Sequence, residues 1–234
     1  KATFPNVNAA TTEEQQAATD KVDALVTDAN NKIANVTHNA EVDQIKNETI
    51  NAINQVEPQA VQKANALATI KEKQDQQTYL INNEVNATSE EKEAALQALN
   101  QAVTNANNEI NAATTNAEVA TALQNGETNI TNAVPDTTTK GDAKAEVEQA
   151  ANNQSNLIDQ NQDATTEEKE AAKQLVTRAK NNANQAITDA ETAVDVENKK
   201  QAGINNIGKI TADTGIKTAV KTDLQNQAND KKQQ

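Results

Sequence analysis

A five-residue stretch returns twice at a fixed distance along this chain of 234 residues. It reads Ala-Thr-Thr-Glu-Glu at 10–14, Ala-Thr-Ser-Glu-Glu at 87–91 and Ala-Thr-Thr-Glu-Glu again at 164–168, which is the same 77-residue step both times (87 − 10 and 164 − 87). A fixed internal period is typical of tandem arrays in which each copy is one small structural unit. The sequence therefore predicts three copies of one module.

Each copy of this stretch predicts the start of a helix. A threonine precedes a glutamate by three residues, which is the spacing of a capping box: the hydroxyl accepts from the third helical amide, and the carboxylate accepts from the threonine amide. Two carboxylates in the first turn also suit the positive end of the helix dipole. The three pairs are Thr11 with Glu14, Thr88 with Glu91, and Thr165 with Glu168.

Apolar residues spaced by three and four predict three amphipathic helices in every copy. The first helix of copy one is expected from about Thr12 to Val36, followed by a break at 37–39, where the side chains favour turns. The second helix is expected to carry Val42 to Val56, and the third Ala66 to the pair Leu80-Ile81. Three helices with short breaks predict an all-α fold of tandem three-helix bundles, with a 77-residue period, joined end to end into an elongated rod.

Proline and glycine mark the second helix of a copy. Pro58 and Pro135 lie in register and are expected to end it, because the residue before a proline disfavours the helical conformation. Gly126 and Gly203 fall in its middle, where glycine costs about 1 kcal/mol relative to alanine. Close packing against another helix is the expected reason for these glycines.

The period also sets the predicted module bounds. Residues 1–9 are interpreted as the tail of a preceding repeat, which makes the chain an internal fragment of a longer protein. Repeat 1 is expected at 10–86, repeat 2 at 87–163 and repeat 3 at 164–234. Repeat 3 stops one residue before its Leu-Ile pair would come, so it is truncated and expected to fray.

Composition limits the partners. The chain has 21 basic and 34 acidic residues, a net charge of −13 and a pI near 4.6, which argues against nucleic acid and anionic membrane surfaces as partners. No apolar run approaches the roughly 18 residues of a membrane span, so no membrane insertion is predicted. Cysteine is absent, which excludes disulfides and thiol chemistry.

Residues that could carry chemistry are few. His38 is the only histidine and is interpreted as a solvated turn residue, since no ligand-type neighbours accompany it. The pairs Glu13-Glu14, Glu90-Glu91 and Glu167-Glu168 lack the context of an acid/base or calcium site and are interpreted as helix-start residues. Tyr79 is expected to cover a bundle end. The sequence predicts no catalytic, cofactor-binding or metal-binding residue, no cofactor, and no enzymatic activity.

Three stretches together resemble a known family. Residues 164–172 read ATTEEKEAA, residues 106–119 read ANNEINAATTNAEV, and residues 126–130 read GETNI shortly before a Val-Pro. This pattern resembles a tandem repeat, a domain of unknown function, of staphylococcal cell-wall-anchored surface proteins of the SasC and FmtB type. The resemblance implies a secreted protein on the bacterial cell surface, attached to peptidoglycan through regions outside these residues, and associated with attachment, aggregation and biofilm.

Two functional hypotheses follow. The first is a structural stalk that projects an adhesive region from the cell, favoured by the unvarying step and the acidic solvated faces. The alternative is a binding module whose helical faces engage a host serum or extracellular-matrix protein. Hot spots of binding are enriched in Trp, Tyr and Arg, and this chain has no Trp, one Tyr and only Arg178. A monomer is expected, with a host protein or a like array on a facing cell as candidate partners.

Overall fold

The computed structural model describes Phe4 and residues 9–233. Over this part of the chain it contains nine α-helices and no strand, which confirms the predicted all-α class. The predicted repeat tail at 1–9 lies outside the described residues, apart from Phe4 and Ala9. The helices are α1 Thr12–Ile33, α2 Asn39–Asn54, α3 Val61–Asn82, α4 Ser89–Ala112, α5 Asn116–Thr131, α6 Thr138–Gln160, α7 Thr166–Asp189, α8 Ala193–Gly208 and α9 Gly215–Gln233.

The helix starts follow the predicted period. First helices of the copies begin at residues 12, 89 and 166, second helices at 39, 116 and 193, and third helices at 61, 138 and 215. Both sides of the capping box are formed before α1, between Thr11 and Glu14, and before α7, between Thr165 and Glu168. Three tandem repeats with the predicted period are therefore confirmed.

Proline does not decide where the second helix ends. The three second helices end at Asn54, Thr131 and Gly208, again one period apart, although copy three has Ala212 in place of the proline. The prediction that Pro58 and Pro135 end this helix was wrong. A glutamine of the third helix instead binds the backbone just beyond that end: Gln77 donates to the Ala133 carbonyl at 2.9 Å and Gln154 to the Ile210 carbonyl at 2.6 Å.

The described residues divide into two compact units. Unit 1 contains Lys1–Leu80 and Leu96–Ala133, and unit 2 contains Ile81–Ala95 and Val134–Gln234. Within unit 2, helices α6, α7 and α8 contact each other pairwise around one hydrophobic core. The large residues of that core are Val147, Ile158, Val176, Ile187, Val196 and Ile207, and alanines fill most of the remainder.

The core of unit 2 joins helices that the predicted bounds assign to different repeats. The prediction placed α6 in repeat 2 and α7 to α9 together in repeat 3, whereas α6 packs against α7 and α8. Helix α9 contains no buried residue. The bounds 10–86, 87–163 and 164–234 stay a prediction, but the packing has a different phase.

Glycine allows two helices to pack closely. A Cβ atom on Gly203 of α8 would lie 2.5 Å from the Ala183 Cβ of α7, and one on Gly126 of α5 would lie 2.6 Å from the Ala106 Cβ of α4. Real Cβ atoms do not approach so closely, so only glycine fits. The predicted role of both glycines in close packing is confirmed.

Only one residue of each Leu-Ile pair reaches the core. Ile81 and Ile158 are buried, whereas Leu80 and Leu157 are both 59 % exposed. Adjacent residues on a helix point about 100° apart, so a narrow core accepts one of them. Tyr79 is 68 % exposed, so the prediction that it covers a bundle end was wrong.

Candidate functional site: the repeat junction

The capping-box glutamate of copy one holds two helix starts at once. One carboxylate oxygen, Oε2, accepts from the Thr11 amide at 2.8 Å and closes the capping box before α1. The other oxygen, Oε1, accepts from the Val61 amide at 2.7 Å and the Gln62 amide at 2.9 Å, at the start of α3. Glu14 therefore fixes the first and third helices of copy one relative to each other.

The same arrangement recurs one period later, within unit 2. Glu91 Oε2 accepts from the Thr88 amide at 2.7 Å, and Oε1 accepts from the Thr139 amide of α6 at 3.2 Å. In copy three, Glu168 closes its capping box, but its second oxygen lies 3.4 Å from the Ile216 amide, a weaker contact.

Neighbouring residues of the same motif bind the following copy. The amide of Thr12 donates to the Thr114 carbonyl at 2.9 Å, and that of Ser89 donates to the Glu191 carbonyl at 2.7 Å. These carbonyls lie in the break between the first and second helices of the next copy. An amide at a helix start has no partner within its own helix, so the next copy satisfies a group that the helix leaves open.

The preceding glutamate binds the second helix of the next copy. The Glu13 carboxylate accepts from the Asn116 amide at 3.1 Å, and the Glu90 carboxylate accepts from the Ala193 amide at 3.3 Å. Asn116 and Ala193 are the first residues of α5 and α8. Each negative charge thus lies at the positive end of a helix dipole that belongs to the following copy.

A buried lysine completes each junction. Lys63 donates to the Asn111 carbonyl at 2.8 Å, and Lys140 donates to the Val85 and Thr188 carbonyls at 2.9 and 2.7 Å. Residues 111 and 188 lie in the last turns of α4 and α7, where cations are favourable. Burial lowers the pKa of Lys140, and the charges of Lys92 and Lys144 lower it further.

The hydrogen bonds at the junctions lower the pKa of the glutamates. Burial acts to raise the pKa of Glu14, but amide hydrogen bonds, first that of Thr11, lower it by more, so it lies below its ordinary value of 4.5. Burial likewise acts to raise the pKa of Glu91, and hydrogen bonds from Thr139 and Thr88 bring it below 4.5. These carboxylates are therefore ionised at neutral pH and act as fixed acceptors.

An open hollow lies beside each of the two lysines. The one beside Lys140 measures about 440 Å³ and the one beside Lys63 about 300 Å³. Their lining residues are in register at the 77-residue step, for example Lys140 with Lys63 and Thr188 with Asn111. Polar backbone and side-chain groups form much of each wall, and the lysine amino groups are already bound to carbonyls.

The structure places the other candidate residues away from the junctions. His38 precedes α2 as its N-cap residue, its side chain is 79 % exposed, and its Nδ1 lies 3.6 Å from Glu41. Of the three glutamate pairs, Glu13-Glu14 and Glu90-Glu91 take part in the ties between copies. Among the residues the structure describes, no three His, Cys, Asp or Glu side chains are grouped so that they could hold a metal ion.

The ties between copies were not predicted from the sequence. Glu13, Thr12 and Lys63 were interpreted within their own helix or not singled out at all. The signal that could have identified them is the register itself, since Glu90, Ser89 and Lys140 stand at the same places one period later. Partners so far apart along the chain cannot be paired from one sequence alone.

The fold and its junctions define the class: an all-α protein of tandem repeats, in which each repeat motif satisfies backbone groups of the next copy. The family described as "Domain of Unknown Function (DUF1542)" matches residues 1–61, 62–138 and 139–215, and the chain belongs to this family. The second and third matches begin at α3 and α6. This phase agrees with the core that α6, α7 and α8 share.

The chain is also similar to named proteins of Staphylococcus aureus. It is 27 % identical over 205 residues to "Extracellular matrix-binding protein ebh" of strain MW2, and 28 % identical over 199 residues to "Extracellular matrix-binding protein EbhA" of strain N315. These matches cover 84 % and 82 % of this chain but only 2 % and 3 % of the relatives' lengths. No solved structure matches the chain significantly.

The helices were also compared with the requirements of a membrane span. Within the described part of the chain, none is both long and apolar enough to cross a bilayer.

Proposed function

We propose that this chain is a stalk region of a bacterial cell-wall-anchored surface protein. Its repeats hold an adhesive region at a distance from the cell and so support attachment, aggregation and biofilm. Attachment to peptidoglycan is made by regions outside these residues. The placement on the cell surface rests on the family and on the staphylococcal relatives, whose names describe matrix-binding proteins.

The observation that carries this proposal is the recurrence of the junction ties. A stalk needs each copy to fix the next in one orientation, and the same set of amide, carboxylate and lysine contacts is present at both junctions. Several short ties through backbone groups restrict rotation more than a single flexible linker would. The acidic surface, with a net charge of −13, keeps such an array soluble.

Small-angle X-ray scattering tests the stalk directly. A compact globule of this length has a radius of gyration of about 17 Å and an unfolded chain about 53 Å. Three repeats end to end, roughly 110 to 120 Å long from the helix rise, give about 33 Å. A radius close to that of the end-to-end array supports the stalk, and a radius close to that of the compact globule would overturn it.

A proline variant separates the junction ties from helix stability. Thr12 and Ser89 are the first residues of α1 and α4, a position where proline is well tolerated because the helix does not use that amide. The double variant Thr12→Pro, Ser89→Pro removes the donor to the next copy, and scattering should then show bending between repeats at unchanged helix content. Thr166→Pro, at the same place in α7, is the matched control and should leave the scattering curve unchanged.

A second candidate function is binding to a host extracellular-matrix protein. The observation that favours it is the name of the similar proteins, "Extracellular matrix-binding protein". Solid-phase binding of the 234-residue chain to immobilised matrix proteins, with albumin-coated wells as the control, tests it. Saturable binding at micromolar concentration or tighter would favour a binding module over a purely structural stalk.

A further inference from the structure

The third helix of one copy completes the core of the next copy. Helix α6 ends copy two, and it packs against α7 and α8 of copy three. Four of its contacts are specific: Lys140 donates to the Thr188 carbonyl, Gln154 to the Ile210 carbonyl, and Glu146 and Glu148 accept from Lys200 and Lys180. The pair of first and second helices is thus an acceptor, and the preceding third helix is a donor.

The α1–α2 pair has the same acceptor pattern but is not filled in the same way. The register positions of the buried residues Val176, Val196 and Ile207 of α7 and α8 are occupied in α1 and α2 by Val22, Val42 and Ile53. These three side chains are only half-buried, and α2 has no buried residue at all. We call this half-exposed apolar surface, formed by Val22, Leu25, Ile33, Val42, Ile45 and Ile53, the acceptor face.

Helix α9 has the donor pattern and is also unfilled. Its Lys217, Val220 and Leu224 stand in register with Lys140, Ala143 and Val147 of α6, of which the last two are buried at 4 % and 0 % exposure. Val220 and Leu224 are instead 54 % and 63 % exposed. Exposed apolar residues in a row on one helix face indicate an interaction surface.

The charges of the two surfaces also match. In unit 2, Lys200 of α8 lies 2.9 Å from the Glu146 carboxylate of α6. The residues in register are Lys46 on α2 and Asp223 on α9, again one cation and one anion. The Lys46 side chain is 54 % exposed, compared with 10 % for Lys200, so it can reach an incoming carboxylate.

We propose that the acceptor face on α1 and α2 binds helix α9 of a second copy of this chain, so that copies associate head to tail. Donor and acceptor are different surfaces, so each added copy presents a fresh acceptor face and the contact does not close as a two-fold dimer would. Thr49 stands where Gly126 and Gly203 allow close packing, which makes this contact weaker than the packing inside unit 2. The monomer expected from the sequence is the form at low concentration. This inference does not depend on the stalk role.

Sedimentation of the full chain tests the association. The weight-average mass should rise above 25.0 kDa with concentration, up to about 1 mM, which detects dissociation constants in the millimolar range. Leu224→Asp, at an exposed position that its own unit does not use, should weaken association about tenfold or more. Thr222→Asp places the same charge in register with exposed Ala145 and should change nothing. A constant monomer mass across the whole concentration range would overturn the proposal.

Mixing two variants distinguishes head-to-tail binding from a symmetric contact. Leu224→Asp retains the acceptor face, and Val22→Asp, if circular dichroism shows unchanged helix content, retains the donor. Each alone should stay a monomer, and an equimolar mixture should form a heterodimer of about twice the monomer mass. No heterodimer in the mixture would contradict the assignment of donor and acceptor.

A charge swap tests the register without disturbing the core. Lys46→Glu should weaken association several-fold, and Asp223→Lys should do the same. The double variant should restore it, because the pair is reformed with reversed signs. If the double variant is weaker than either single variant, α9 does not dock in the register of α6.

Discussion

Helices α1 and α2 and helices α7 and α8 are the same pair in two copies, yet they differ in what they bury. Helix α7 buries Ala172, Val176, Ala183 and Ile187, and α8 buries four residues. Helix α1 buries only Ala18 and Ala29, and α2 buries none. The apolar pattern is the same in both pairs, so the difference arises from α6, which packs on one pair only. Burial here is a property of three helices from two adjacent copies.

The largest expected effect is a core truncation made at the same place in both pairs. Ile207 of α8 is fully buried at 0 % exposure, and its equivalent Ile53 is half-buried. Ile207→Ala should lower the free energy of unfolding by about 2 to 5 kcal/mol, because it leaves a cavity. Ile53→Ala should have a clearly smaller effect in the same urea titration. Equal losses would show that α1 and α2 have a filled core as well.

The glycine crossing gives the next effect. A Cβ on Gly203 would lie 2.5 Å from the Ala183 Cβ, so Gly203→Ala should destabilise by about 1 to 3 kcal/mol through overpacking, despite the better helix propensity of alanine. Thr49→Ala, at the same place in α2, should be neutral or slightly stabilising. Thermal unfolding of both variants measures this contrast, and a stabilised Gly203→Ala would contradict the close crossing.

The capping glutamates should differ between junctions. Glu91→Gln weakens contacts to the Thr88 and Thr139 amides and should cost about 1 to 2 kcal/mol of unfolding free energy, the range of a lost helix cap. Glu168→Gln should cost less, because the second oxygen of Glu168 lies 3.4 Å from the Ile216 amide. Urea unfolding monitored by circular dichroism compares the two. An equal or larger loss for Glu168→Gln would contradict this ranking of the junctions.

The smallest effect is the pH dependence that these glutamates contribute. Glu14 and Glu91 have pKa values below 4.5 in the folded chain, so near and below pH 4.5 the unfolded chain binds more protons than the folded one. Their contribution to stability is therefore present above that range and is lost as the pH falls through the folded pKa values. Glu14→Gln with Glu91→Gln should flatten the slope of unfolding free energy between about pH 5 and 3. An unchanged slope would mean that other groups carry the acid sensitivity.

Much of the local structure could be predicted from the sequence. The 77-residue step, the capping boxes at Thr11, Thr88 and Thr165, and the three-and-four spacing of apolar residues predicted the class, the period and the start of the first helix in each copy. The role of Gly126 and Gly203 followed from their placement inside a helix. These features depend on residues within one or two turns of each other, and such short-range patterns can be recognised in a single sequence.

Only the tertiary structure decided which helices share a core and what holds the copies together. The sequence predicts α7, α8 and α9 as one repeat, because a repeat can be divided at any of its breaks without changing its period. The structure assigns α6 to that core instead, and it places Glu13 against Asn116, 103 residues further along the chain. The ends of the second helices likewise depend on Gln77 and Gln154, not on proline. The physical reason is that periodicity fixes which residues are equivalent, whereas packing depends on which surfaces the closed chain brings into contact.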